Sequence, residues 1–138
     1  MHVHYILIAD DSEEDRTIFK LAIRPRDDLQ VAATTATGND TMAYLQGAAP
    51  YSDRLSYPYP DLLLLDYEMP GANGLEVLGW LQKQPRRPRV ILWTNMIEKI
   101  DRAEAYRLGA NLACAKPSTP QEILAHVSRV LSGPRQSD

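Results

Sequence analysis

The feature that most constrains this chain is a fivefold alternation of short apolar runs with longer segments of helical periodicity. The clearest run is Leu62–Leu65, leucines only, with Pro60 before it and Met69-Pro70-Gly71 after it. Leucine favours helix, but these flanks leave no room for one, so the run reads as a strand buried on both faces. Tyr5–Ala9, Val90–Trp93 and Asn111–Ala115 read the same way, and Leu29–Thr34 alternates as an edge strand does. Between them lie helical stretches at Ser12–Ile23, Asn39–Gln46, Gly74–Gln84 and Ile97–Leu108, and a last helix from Thr119 to about Leu131. In the first, Ile18, Phe19, Ala22 and Ile23 share one face. Thr119-Pro120-Gln121-Glu122 is the strongest helix start, with an N-cap hydroxyl, proline at N1 and glutamate at N3. Strands apolar on both faces and separated by helices imply a parallel sheet covered on both sides, and right-handed crossovers make it an α/β, doubly wound sheet.

The 138 residues suit one domain, with a core over about 4–131 and a flexible tail at 132–138. The formal net charge of −3 argues against a nucleic-acid surface. No apolar run approaches the roughly 20 residues of a membrane span. Cys114 is the lone cysteine, so no internal disulfide forms and a reducing, cytoplasmic setting is expected. His2, His4 and His126 are scattered in sequence and are not expected to form a metal site. Ala48–Pro60, with Tyr51, Tyr57 and Tyr59 set among prolines, is long for a connection and reads as half-buried packing or as a partner or dimer contact.

The chemistry lies at the strand ends. Asp10 and Asp11 follow the first strand, Asp66 ends the third, Thr94 the fourth and Lys116 the fifth. All fall on the carboxyl edge of the sheet, where open α/β sheets bind ligands. Each alone has a plain structural explanation as a turn, a cap or a solvated side chain. Together, three carboxylates and one ammonium leave a formal −2 in one pocket, which repulsion makes costly unless a cation offsets it. All-oxygen ligands favour a hard ion such as Mg²⁺. A phosphoryl group would want the same metal, an ammonium and a hydroxyl donor, so the set reads as a phosphoryl-transfer site with a carboxylate nucleophile.

The stretches ILIADDSEEDR, PDLLLLDYEMPGANGLEVL, VILWTN and ACAKP resemble the receiver domain of two-component response regulators, from about Tyr5 to Leu131. The resemblance implies a flavodoxin-like (α/β)5 fold with a five-stranded sheet of order 2-1-3-4-5. It implies that a sensor histidine kinase phosphorylates Asp66, and that Asp11, Asp66 and the Glu68 backbone carbonyl bind Mg²⁺, with Asp10 acting largely through water. Lys116 would neutralise the phosphoryl oxygens, Thr94 would hydrogen-bond to one, and the Lys116–Pro117 bond would be cis. The Ala48–Pro60 segment is similar to that of receivers serving phytochrome-type kinases, some of which dimerise, so a monomer and a homodimer both stay open. Signalling is expected through a downstream protein target or a phosphorelay. The sequence departs from the family where Ala113 replaces the aromatic that usually stands three residues before the lysine, and where Asn95 replaces a small residue. Other aspartyl-phosphate chemistry, that of haloacid-dehalogenase-type phosphatases, needs Asp-x-Asp after the first strand, whereas Asp10 and Asp11 are adjacent. A flavodoxin-type electron carrier needs a phosphate-cradling loop, and ADDSEED is acidic and lacks glycine.

Overall fold

The computed structural model describes residues 2–133. The strands are β1 (His4–Ala9), β2 (Leu29–Thr35), β3 (Leu62–Asp66), β4 (Arg89–Thr94) and β5 (Leu112–Ala115). The helices are α1 (Glu13–Ile23), α2 (Gly38–Gln46), α3 (Gly74–Gln82), α4 (Arg102–Arg107) and α5 (Pro120–Ser132). All strand pairs are parallel, in the order β2-β1-β3-β4-β5, as expected, with β2 at an edge. Of the tail expected at 132–138, Ser132 instead closes α5, and residues 134–138 lie outside those described.

Each helix starts where its sequence supplies an oxygen for orphaned backbone N–H groups. Ser12, Thr37, Asp101 and Thr119 accept from the N–H three residues on, and Asn73 forms a complete capping box with Glu76. Two cores result. Leu7, Leu63, Leu65 and Leu92 meet α2 and α3 on one face of the sheet, while Ile6, Ile8, Leu62, Leu64, Ile91 and Trp93 meet α1 and α5 on the other. Alternation along a strand sends neighbouring leucines to opposite cores. Trp93 is fully buried and stacks on Phe19 of α1 at 4.9 Å between ring centroids.

Three local expectations are corrected. The helix expected over Ile97–Leu108 is broken into a 3₁₀ turn at Ile97–Lys99 and α4, because Ile100 is extended and buried and Asp101 caps a new start. Ile18 of α1 is exposed, since Phe19, Ala22 and Ile23 alone cover the sheet there. The Lys116–Pro117 bond is not cis; the cis X-Pro bond of the described chain is Ala49–Pro50. Proline narrows the trans preference without reversing it, so the residue type alone does not fix the isomer.

The Ala48–Pro60 segment is ordered and folds back on α2. Tyr44, fully buried, donates to Pro58 O at 2.8 Å, and Tyr51 donates to the Asp40 carboxylate. The Arg54 guanidinium lies over the rings of Tyr44 and Tyr59 and donates to Leu45 O and Tyr57 O. Tyr51, Tyr57 and Tyr59 are half-buried against the core, while Leu55 at the tip is 97% exposed.

Gly74, the first residue of α3, is where helix and sheet press closest beneath the carboxyl edge. A Cβ there would stand 2.6 Å from Leu92 Cδ1 and 2.9 Å from both Asp66 O and the Tyr67 Cα. Overpacking of this kind costs about 1–3 kcal/mol. Gly74→Ala is therefore expected to lower stability by about 2 kcal/mol in urea melts; a variant as stable as wild type would show that the contact relaxes freely.

Candidate functional site

The strand ends converge as the sequence suggests. Asp10, Asp11 and Asp66 each bring a carboxylate oxygen within 4.8 Å of the others. Asp10 is fully buried, Asp66 is 4% exposed, and Asp11 faces solvent. Backbone hydrogen bonds tie down the strand ends: Asp10 N donates to Thr35 O, Tyr67 N to Trp93 O, and Lys116 N to Thr94 O. Thr94 is buried at the end of β4, and its Oγ1 accepts from Met96 N at 3.1 Å. The Glu68 N–H points at Asp66 Oδ1, 3.3 Å away. Thus Asp10, Asp11, Asp66 and Lys116 come together, while Thr94 ends the adjoining strand and Glu68 forms the turn after β3.

Lys116 is the hub. Its Nζ lies 2.7 Å from Asp10 Oδ2, 2.7 Å from Asp15 Oδ2 and 3.6 Å from Asp66 Oδ2. Burial alone would lower the ammonium's pKa, but the hydrogen bonds and charges of Asp10, Asp15 and Asp66 outweigh it and hold the pKa above its ordinary value. Asp15 is the residue that sequence reasoning missed. Its N–H is capped by Ser12, so it reads as an ordinary acidic residue in the first turn of α1, yet its carboxylate turns into the pocket.

Desolvation drives the Asp66 carboxyl up to about 7, reinforced by the Asp10 charge and opposed by Lys116 and the Glu68 N–H. The pocket holds more negative charge than Lys116 offsets. Asp10 Oδ2 is buried, and its close partner is the Lys116 ammonium at 2.7 Å, which Asp15 and Asp66 also draw on. Three clustered carboxylates beside a single ammonium form an all-oxygen donor set that fits a divalent cation.

Fold and site together define a doubly wound domain with a cation-ready acidic pocket at the carboxyl edge. The chain matches the response regulator receiver domain over residues 6–128 and belongs to that family. Receiver domains are phosphoacceptor signalling domains that partner histidine kinases. The chain is 33% identical over 81 residues to the phosphate regulon transcriptional regulatory protein PhoB of Klebsiella pneumoniae, an alignment spanning 57% of this chain and 35% of that protein. It thus spans well under two thirds of the length of the curated relatives it matches. Among solved structures it superimposes on the bacteriophytochrome response regulator RtBRR with a TM-score of 0.77, at 25% identity and covering 98% of this chain and 81% of that one. The Mn²⁺-bound form of response regulator Rcp1 gives a TM-score of 0.78 at 23% identity, covering 97% and 99%, and supports the fold. Family membership decides against the phosphatase and electron-carrier alternatives.

A raised Asp66 pKa has a consequence for stability. Between about 3.8 and about 7 the folded protein binds the Asp66 proton that the unfolded chain has released. Metal-free stability therefore falls as pH rises through this window. Asp66→Asn removes that loss, so at pH 8 without metal it is expected to be more stable than wild type by on the order of 2–4 kcal/mol. The gap should close toward pH 4. Thermal melts at the two pH values check this, and an asparagine variant no more stable at pH 8 would contradict the electrostatics described.

Proposed function

We propose that the chain is a single receiver domain over residues 1–138 in which Asp66 accepts a phosphoryl group from a sensor histidine kinase in a Mg²⁺-dependent reaction. The observation that carries this is the buried Asp66 at the end of β3, within 4.8 Å of Asp10 and Asp11 and beside the Lys116 ammonium. An Asp66 carboxylate oxygen forms the new bond to phosphorus while the donor's P–N bond breaks, and the electron pair leaves on an imidazole nitrogen that takes a proton. Asp10, Asp11, Asp66 and the Glu68 backbone carbonyl would hold Mg²⁺, which when bound offsets the charge of the phosphoryl oxygens. Lys116 binds one of those oxygens, and the Thr94 hydroxyl donates to another. Both lie at strand ends, so their backbones need little reorganisation.

The ion pairs of Lys116 add a step. To meet a phosphoryl oxygen, Nζ must give up part of its contact with Asp10 and Asp15, both 2.7 Å away. Asp15 thus competes with the incoming group for the ammonium. The chain signals through a phosphorylation-dependent contact with a protein target or through a phosphorelay. A phytochrome-type kinase is the partner supported by the resemblance to RtBRR and by the ordered tyrosine segment. A cytoplasmic setting is consistent with these partners, and no helix of the described residues is long and apolar enough to cross a membrane.

Incubation with acetyl phosphate and Mg²⁺ should add one phosphoryl mass, and Asp66→Asn should abolish it. Asp15→Asn should label about threefold faster, corresponding to roughly 0.65 kcal/mol at the transition state. Full labelling of Asp66→Asn would remove the assignment, and unchanged kinetics in Asp15→Asn would remove the competition.

The output route departs from the family's pattern. Ala113 has no side chain to turn inward, but its N–H donates to the Tyr106 hydroxyl of α4 at 3.1 Å. Tyr106, 42% exposed, brings an aromatic to the position from a neighbouring element. We therefore place the reporter on α4, with beryllofluoride as the phosphoryl mimic. Amide exchange at Ala113 should change when beryllofluoride is added to wild type and change much less in Tyr106→Phe, which lacks the acceptor oxygen. Equal responses in the two proteins would exclude Tyr106 as the reporter.

A further inference from the structure

The opposite, amino edge of the sheet carries a cluster that phosphoryl chemistry does not use. His2 and His4 stand two residues apart on an extended chain, hence on one side of it. Their rings meet edge to face with centroids 4.6 Å apart, contrary to the expectation that these histidines are scattered. Asp61, just before β3, is locked to the same place, since Tyr5 N donates to Asp61 Oδ2 and Asp61 N donates to Tyr5 O, both at 2.8 Å. One ligand atom from each of His2, His4 and Asp61 lies within 4.8 Å of the other two. His4 Nδ1 is buried without a hydrogen-bond partner and stands 3.9 Å from Asp61 Oδ2, beyond hydrogen-bond reach. The neighbouring Asp28 accepts from His4 N through its carbonyl, and its carboxylate is occupied by Arg26. Neither supplies His4 Nδ1 with a hydrogen bond.

We propose that His2, His4 and Asp61 form a binding site for a borderline divalent cation of the Zn²⁺ class, separate from the acidic pocket. Two imidazoles and a carboxylate make an N₂O donor set that suits Zn²⁺, with a fourth position left to water. Mg²⁺, which demands oxygen ligands, is poorly matched here and well matched at the carboxyl edge. The two edges therefore sort cations by ligand chemistry. Ligand atoms around a tetrahedral Zn²⁺ stand about 3.3 Å apart, given bonds near 2 Å. The cluster closes to that spacing by side-chain rotation, because His2 is exposed and only Asp61 Oδ2 is committed to the backbone. A bound ion would tie the first residues of the chain to the entry of β3, roughly 20 Å from the Asp10 end of β1. Because only the folded chain assembles the three ligands, occupancy would raise its stability.

Zn²⁺ titrated into the full chain under excess Mg²⁺, which fills the acidic pocket, tests this by calorimetry and by NMR of the imidazole resonances. One Zn²⁺ per chain should bind, the His2 and His4 resonances should move while His126 stays still, and the melting midpoint should rise. His2→Ala and His4→Ala should each weaken binding roughly tenfold or more, as should Asp61→Asn, which keeps an acceptor for Tyr5 N. Labelling by acetyl phosphate should be unchanged in all three, showing that they fold. Should His4→Ala fail that control, the exposed His2 still decides. No heat at molar excess of Zn²⁺, or binding that survives His2→Ala but is lost in Asp66→Asn, would overturn the proposal.

Discussion

Everything at the carboxyl edge depends on one imbalance: an ammonium, that of Lys116, shared among three carboxylates it does not neutralise. Water would ordinarily screen such an arrangement, but Asp10 and Asp66 are buried, so each charge acts on the others at low effective dielectric. The pocket cannot relax by moving apart, because its members are held by parallel strand ends and by backbone hydrogen bonds from Asp10 N, Tyr67 N and Lys116 N. Its remaining freedom is chemical: take up a proton at Asp66, take up a cation, or reassign the lysine. A phosphorylation switch uses the second and third of these.

The rigidity comes from the leucine strand. Leu62–Leu65 is buried on both faces between two independent cores, so β3 delivers Asp66 to a fixed height beside β1 and β4. A parallel sheet places the carboxyl ends of its strands side by side, which is why residues distant in sequence, Asp10 and Lys116 among them, meet without a dedicated loop. Gly74 lets α3 begin directly against the Asp66 carbonyl, closing the floor of the pocket.

Most of this architecture was legible in the sequence because it rests on local signals. Apolar runs between prolines and glycines marked the strands, and Ser12 and Thr119 marked helix starts. What escaped was tertiary. Asp15 looked complete as a first-turn acid, and nothing local says that its carboxylate reaches a lysine 101 residues away. The period through Ile97–Leu108 was helical throughout, yet burying Ile100 breaks the helix and shortens it to α4. His2 and His4 looked dispersed because their partner, Asp61, is brought in only by the pairing of β1 with β3. The isomer of Lys116–Pro117 was inferred from resemblance alone, and resemblance is weakest where a single bond has two comparably stable states.

If Tyr106 of α4 reports in place of an aromatic on β5, what a signal has to displace changes. An aromatic on the strand next to the lysine would turn as a side chain while its backbone stayed in the sheet. Tyr106 stands on a short helix, which follows Thr94 through the Met96 turn, the 3₁₀ segment and the buried Ile100. The hydroxyl that would meet the phosphoryl group and the hydroxyl that touches Ala113 therefore belong to one continuous stretch of chain, anchored at Ile100. On the proposed route, a pull on Thr94 transmitted through that stretch would move α4 as a unit instead of rotating one ring. Ligand-driven shifts between packed states need a difference in contacts between the two, not a particular residue type. On the proposed route the contact that would differ is the hydrogen bond from Ala113 N to the Tyr106 hydroxyl, which costs free energy to leave unpaired at a buried residue. That cost would keep the two positions of α4 distinct.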